Sequence, residues 1–257
     1  MYTKEDLKEQ IKALGIKSDD TALIHTAFSK LGEVDGGPDT LIDAFCEYLC
    51  DGLFVVPTHT WANVTKEQPV FDPNVTEPCI GLVPRTAYKR VDGIRSLHPT
   101  HSVWVHGSEA ESFVRGEEAS QTPAPVGGSW WKLGERKAKI LLIGVDHGRN
   151  TYIHAVDEIA ELEDRLVGEA WSVSVRMPNG ELLTHSFRNH GETGSENFNN
   201  FEECFIALGA QKNGRLGDAL VRVVDAARCR DILLDIYSKT TENLCLSEGS
   251  IPQELWK

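Results

Sequence analysis

The sequence predicts an α/β protein whose parallel β-sheet is covered by helices on both faces. Up to residue 166, short apolar runs alternate with segments of helical periodicity, which is typical of parallel strands joined by helices. The segment 138–145 is almost entirely apolar, as expected of a strand buried on both faces. A chain of 257 residues fits one large domain with a sizeable core, and we predict a single domain over residues 1–257.

The elements of the first part follow from periodicity and from turn residues. A helix over residues 4–14 places Leu7, Ile11 and Leu14 on one face and ends at Gly15. Strands are predicted at 21–25, 53–57, 101–106 and 138–145, and helices at 40–49, 80–89 and 152–166. Residues 58–100 otherwise hold many turn formers, and long irregular stretches of a compact domain are usually functional.

The last third of the chain departs from this rhythm. Residues 170–176 and 181–187 alternate around an Asn179-Gly180 turn, which predicts an antiparallel hairpin near the substrate side. Helices are predicted at 199–208, 216–227 and 231–239.

Composition excludes several classes of function. The net charge of -13 argues against a nucleic-acid partner, which needs a basic face, but it can attract a polycation. No apolar run approaches the length of a membrane span, and the N-terminus has no apolar signal core, so we expect a cytoplasmic protein without membrane contact. The six cysteines form no Cys-x-x-Cys pair, which favours free thiols and no metal.

A base for proton transfer is the first chemical hypothesis. His154 and Asp157 are three residues apart in the helix that follows the strand 138–145, so they share one helix face. A carboxylate beside an imidazole orients it and raises its basicity, which suits removal of a proton from an ammonium group. A histidine that only bonds to its neighbour at a helix start is the alternative.

Other polar residues lie in the loops. His25 ends a strand before the glycines at 32, 36 and 37, whose amides can approach a phosphate or carbonyl. Arg95 could pair with a phosphate, and Ser102 could donate to a carbonyl. His98 and His101 could instead bind a metal, but no carboxylate or thiol completes that set. Acidic side chains in loops could hold a polycation: Asp72, Glu77, Glu192 and Glu196.

Six segments together resemble one enzyme family in their order and spacing. They are residues 25–32 with Gly36-Gly37, 57–60, 71–73, 95–102, 141–145 and 151–157, and they are similar to aminoglycoside 3-N-acetyltransferases. The resemblance implies a three-layer α/β/α sandwich with a largely parallel central sheet. It implies acetyl-CoA as co-substrate and direct transfer to the 3-amino group of a 2-deoxystreptamine aminoglycoside. His154 is then the general base, and either His25 or His98 supports it. Asp157 orients His154; it replaces the family's usual glutamate and is one methylene shorter.

The predicted contacts follow from this resemblance. Those with acetyl-CoA are Phe28, Ser29, Lys30, Leu31, Gly32, Val34, Gly36, Gly37, Arg95 and Ser102. Those with the polycationic acceptor are Asp72, His98, Glu158 and His190. A monomer or homodimer is expected. Two alternatives stay open: a CoA-binding relative with another amine acceptor or no turnover, and a methyltransferase with a cofactor loop at 140–148.

Overall fold

The computed structural model describes residues 1–162, 165–191, 195–240, 244 and 249–257. Two residues with predicted properties lie outside these ranges: Glu192, a predicted contact for a polycation, and Cys245, a predicted free thiol. The side chain of Glu196 is also not described. The helices are α1 Lys4–Ala13, α2 Gly37–Tyr48, α3 Leu82–Ala87, α4 Ala110–Val114, α5 Ser129–Glu135, α6 Tyr152–Ile159, α7 Glu202–Ala207 and α8 Ala226–Ser238. The strands are β1 Thr21–Thr26, β2 Leu53–Pro57, β3 Val70–Phe71, β4 Ile94–Arg95, β5 Val103–His106, β6 Lys139–Ile143, β7 Trp171–Arg176, β8 Leu182–Phe187, β9 Gln211–Leu216 and β10 Ala219–Asp225.

The central sheet has the strand order β4-β5-β2-β1-β6-β10-β9. β1 pairs in parallel with β2 and with β6, whereas β5, β10 and the two edge strands pair antiparallel. The predicted α/β class is therefore confirmed, with a sheet that is mixed and is parallel only in its middle. Antiparallel hairpins extend it at both edges.

Two apolar cores cover the two faces of this sheet. Alternate residues of β1 point to opposite sides, so Leu23 belongs to one core and Ile24 to the other. Helices α1 and α2 pack on the face of Ile24, and α5, α6 and α8 pack on the face of Leu23. This gives three layers, and it leaves the carboxyl ends of β1, β2 and β6 as the place where loops can build a site.

The predicted helix over 216–227 is wrong. Residues 211–225 form the hairpin β9–β10, and β10 runs antiparallel to β6 from Val221 opposite Ile143 to Asp225 opposite Lys139. Gly217 turns the hairpin with φ +55°, close to the carbonyl of Leu31. The following helix, α8, begins at Ala226, because the Asp225 side chain accepts a hydrogen bond from the Arg228 amide at 3.0 Å.

The hairpin predicted at 170–187 is confirmed as β7–β8. With β3 it forms a separate three-stranded sheet packed around Phe71, Val173, Val175 and Phe187. The helix predicted at 152–166 is shorter and ends at Ile159. Within the part of the chain that the structure describes, every helix is too short or too polar to cross a membrane.

Candidate active site

Histidine rings from separate segments meet at the carboxyl ends of the central strands. His25 lies in β1, His59 follows β2, and His154 lies in the first turn of α6. Ring centroids are 4.0 Å apart for His154–His190, 4.9 Å for His190–His101 and 4.7 Å for His101–His59. Trp130 continues the series, 5.4 Å from His59 and 6.1 Å from His25. We call His25, His59, His98, His101, His154 and His190 the histidine cluster.

The histidine cluster is held in its neutral form. Burial lowers the pKa of His25 and His190 to about 3, and that of His98 to about 4. Burial, followed by repulsion from neighbouring histidines, lowers the pKa of His59, His101 and His154 well below 6.5. At neutral pH these rings are therefore proton acceptors rather than cations.

Three fully buried ring nitrogens of the histidine cluster have no hydrogen-bond partner among the described residues. They are His25 Nε2, His59 Nδ1 and His190 Nε2. Buried polar atoms are normally paired with protein or with ordered water. Ordered water or a polar ligand is needed to satisfy these three nitrogens.

His154 and Asp157 lie on one face of α6, but they are not directly hydrogen-bonded. His154 Nδ1 is 3.8 Å from Asp157 Oδ2, and the two side chains are 13% and 4% exposed. Asp157 Oδ1 accepts a hydrogen bond from the Tyr237 hydroxyl at 2.9 Å. The gap is of the size that one additional methylene in the carboxylate side chain would close.

Glu158 has an internal role in place of the predicted acceptor contact. It forms a buried ion pair with Arg165 and accepts hydrogen bonds from the Thr122 hydroxyl at 2.5 Å and the Ala124 amide at 2.6 Å. Arg165 also donates to the His154 carbonyl at 3.2 Å. Glu158 thereby ties the loop at 122–124 to α6 beneath the histidine cluster.

His98 is likewise unavailable as an acceptor contact, since its side chain is completely buried. Its Nε2 donates to the Thr122 carbonyl at 2.9 Å, and its Nδ1 accepts from the Thr100 and His101 amides at 3.2 Å and 2.9 Å. These bonds fix the turn that carries His101. His98 thus supports the histidine cluster without facing a substrate.

Arg95 and Ser102 hold the loop after β2 in place of the predicted CoA contacts. The Arg95 guanidinium donates to the carbonyls of Thr58, Pro73 and Thr76, and burial lowers its pKa to about 10. Ser102 is completely buried and donates to the Thr58 carbonyl at 2.8 Å. With its donors engaged in this way, Arg95 braces the segment that leads to His59.

The segment predicted to contact acetyl-CoA, residues 28–37, follows β1 directly. Phe28–Lys30 form a 3-10 turn, with Ser29 and Lys30 exposed. The Leu31 side chain is completely buried and Val34 packs on the same core, so Leu31 cannot offer its side chain to a ligand. Gly36 and Gly37 have φ +73° and +68° at the start of α2, and open space surrounds Gly37. Phe28, Ser29, Lys30, Gly32, Gly36 and Gly37 remain reachable.

The predicted acceptor contacts at Asp72 and His190 have different surroundings. Asp72 pairs with Arg176 at 2.9 Å on the small sheet, so its charge is already compensated. His190 follows β8 and stacks on His154. The chain reversal at the hairpin thus brings His190, but not Asp72, to His154.

The sequence predictions give no site role to His59 or Trp130, and they consider His101 only as a candidate metal ligand. His59 comes two residues after a strand that is buried throughout, a placement that puts a polar side chain at the end of the sheet. Trp130 donates from Nε1 to the His101 carbonyl at 2.9 Å. No local sequence signal points to Trp130, because its partners come from distant segments.

Acetyltransferases of known structure share this fold. An AAC-IIIb structure, a binary complex with CoASH, superposes with a TM-score of 0.81 at 22% identity and covers 93% of this chain and 97% of its own. Aminoglycoside acetyltransferase AAC(3)-IVa, in complex with a gentamicin, gives a TM-score of 0.80 at 22% identity, with 93% and 89% covered.

Sequence comparison identifies the family. The family model for aminoglycoside 3-N-acetyltransferase matches residues 23–238, so the chain belongs to this family, as the sequence resemblance predicted. Aminoglycoside N(3)-acetyltransferase IV of Salmonella sp is 26% identical and covers 90% of this chain and 85% of its own length. Enzyme IX of Micromonospora chalcea is 24% identical, with 87% and 89% covered.

Proposed function

We propose that this protein transfers the acetyl group of acetyl-CoA to the 3-amino group of a 2-deoxystreptamine aminoglycoside, with His154 as general base. The observation that carries the proposal is a neutral, partly exposed imidazole at the carboxyl ends of the central parallel strands. Membership of the family supports the reaction class.

The chemistry requires a proton acceptor, because an ammonium nitrogen has no lone pair with which to attack. His154 Nδ1 faces Asp157, which leaves Nε2 to take the proton from the acceptor. The freed amine then forms a bond to the thioester carbonyl carbon, and the carbon–sulfur bond breaks. As this bond breaks, the nitrogen loses a second proton. The thiolate takes up one proton and leaves as CoASH, and the other proton passes to solvent.

Two carboxylates below His154 have different tasks in this proposal. Asp157 faces the imidazole and stabilises the imidazolium that forms, through the charge rather than through a direct hydrogen bond. The ion pair of Glu158 with Arg165 holds the backbone of α6 where His154 sits. His25 and His190 offer unpartnered nitrogens that suit water or acceptor groups beside the base.

The reachable part of the segment 28–37 is the proposed site for acetyl-CoA. Its glycines allow close approach of backbone amides to a phosphate, and Lys30 supplies an exposed cation. A family relative of known structure contains CoASH. The family model favours acetyl transfer over the methyltransferase alternative.

The acceptor follows from charge and from the relatives. A net charge of -13 favours encounter with a polycation, and the curated relatives are named N(3)-acetyltransferases. We propose that the protein acts in the cytoplasm as one domain, as a monomer or homodimer.

The test is acetyl-CoA turnover, followed as free thiol, with 2-deoxystreptamine aminoglycosides and simple polyamines as acceptors. We expect aminoglycoside-dependent thiol release that falls by about 100-fold or more in His154→Ala, while CoA still raises the melting temperature of the variant. His185→Gln is the matched control, because His185 lies on β8 outside the histidine cluster and bonds to the Ser120 carbonyl, a bond that a glutamine amide can replace.

Three results would redirect the proposal. Full activity of His154→Ala removes His154 as the base. Activity only with simple polyamines changes the acceptor. A rise in melting temperature with CoA but no thiol release from the wild-type protein identifies a CoA-binding relative without this activity.

A further inference from the structure

A second group of metal-ligating side chains lies on the face of the sheet covered by α2. Cys46 of α2, Asp92 of the loop before β4, and His106 at the end of β5 each present a ligand atom, and these atoms lie within 4.8 Å of one another. We call these three residues the Cys46 cluster. Its members come from three separate segments, and none belongs to the histidine cluster.

The His106 side chain is bonded to a backbone carbonyl through one ring nitrogen. Its Nδ1 donates to the Asp92 carbonyl at 2.6 Å, which leaves the lone pair of the neutral ring on Nε2. A carbonyl that holds the other nitrogen in this way is the usual partner of a metal-bound imidazole. Gly93, next to Asp92, packs against the Trp104 ring, where a side chain would collide with that ring. The His106 ring stacks on the same Trp104 ring, with 6.2 Å between the ring centroids.

The charge around the Cys46 cluster is unbalanced. Arg90 donates to Asp39 at 3.0 Å, and to Asp43 and Asp92 at 2.6 Å. One guanidinium thus faces three carboxylates, and each Asp92 oxygen bonded to Arg90 keeps a second lone pair. An added divalent cation would compensate this excess of negative charge.

We propose that the Cys46 cluster binds a zinc ion through Cys46 Sγ, His106 Nε2 and an Asp92 carboxylate oxygen, with water in the fourth position. Thiolate, imidazole and carboxylate are the ligand types of zinc in proteins, and three protein ligands with one water is a known arrangement. The ion would connect α2, which starts at the Gly36-Gly37 turn, to the loop and strand at the sheet edge.

Binding would be linked to proton release. Zinc binds the thiolate, and the Cys46 proton then passes to solvent. No oxidant or reductant takes part in this step.

The experiment uses the full chain after removal of metal with a chelator. Titration with Co²⁺ is expected to give a thiolate-to-cobalt charge-transfer band that saturates at one equivalent, and zinc is expected to displace the cobalt. Cys46→Ser should abolish the band, and His106→Gln should weaken zinc affinity by about 100-fold or more in competition with a chromophoric chelator.

Matched cysteine variants distinguish this site from others. Cys50→Ser changes an exposed thiol four residues away, and Cys79→Ser changes a thiol 3.2 Å from the His59 carbonyl, beside the histidine cluster. Both should keep the band. A band that survives Cys46→Ser, disappears in either control, or is absent from the wild-type protein would overturn the proposal. Circular dichroism confirms that each variant is folded.

Discussion

Acid should destabilise this protein in part through His98. The ring is completely buried, with Nε2 donating to Thr122 and Nδ1 accepting two backbone amides. Protonation of Nδ1 would remove both accepted bonds and leave a charge without solvent. The structure therefore accommodates only the neutral ring.

The size of the effect follows from the two pKa values of His98. In the folded state the pKa is about 4, against the ordinary 6.5 of the unfolded chain. As the pH falls below 6.5 the unfolded chain binds the proton first, so stability is full above 6.5 and is lost towards pH 4. Linkage gives a loss of about 2 kcal/mol between pH 7 and pH 5, and about 3 kcal/mol in total.

Urea unfolding of the wild-type protein and of His98→Gln at pH 7 and pH 5 measures this contribution. Glutamine keeps a donor and an acceptor but has no proton to gain in this range. The variant should be less stable at pH 7, and the difference between the two proteins should shrink by about 2 kcal/mol at pH 5. An unchanged difference would refute the assignment of acid sensitivity to His98.

Three further predictions concern the base and the strand that precedes it. Asp157→Glu should raise kcat several-fold in steady-state assays, because the longer side chain closes the 3.8 Å gap to His154. Asp157→Asn should lower kcat by about 10-fold or more. Equal values of kcat in the two variants would contradict this prediction. The acidic limb of kcat/KM against pH, measured in the wild-type protein, should have an apparent pKa below 6.5, because burial lowers the pKa of His154 well below that value. An apparent pKa at or above 6.5 would count against His154 as the general base. Gly144→Ala should lower the free energy of unfolding, measured with urea, by about 3 kcal/mol, because φ is +67° and the added Cβ meets Lys30. Gly180 is the control: its φ is +86° but open space surrounds it, so Gly180→Ala should lower the free energy of unfolding by about 1 kcal/mol.

The local sequence pattern was sufficient to predict an element where its apolar periodicity matches the burial of that element in the fold. The strands at 21–25 and 53–57 are buried throughout and lie in the middle of the sheet. The hairpin at 170–187 carries both alternation and an Asn-Gly turn. Residues 216–227 show why pattern fails elsewhere, because their apolar spacing also fits a helix and the pairing of β10 with β6 decides the outcome. Two features of this segment favour a strand over a helix: the β-branched valines at 221, 223 and 224, and the turn residue Gly217.

The site was predictable only where its members are close in sequence. His154 and Asp157 share a helix face because they are three residues apart, but Tyr237, which bonds to Asp157, comes from another helix. Arg95 and Glu158 have side chains that suit ligands in sequence, yet buried carbonyls, amides and an ion pair engage them. Which loop would fold over them depends on the tertiary structure, and no local pattern reports it.

The strand order has a consequence for how the chain matures during synthesis. β1 pairs with β2 soon after both are made, but its other neighbour, β6, brings Lys139 opposite Ala22, and such distant pairings form slowly. β6 in turn waits for β10 to cover its second edge. A product that stops before residue 219 would leave one edge of an apolar strand open to pairing with other chains. The late-made strand β10 thus protects the middle of the sheet from aggregation.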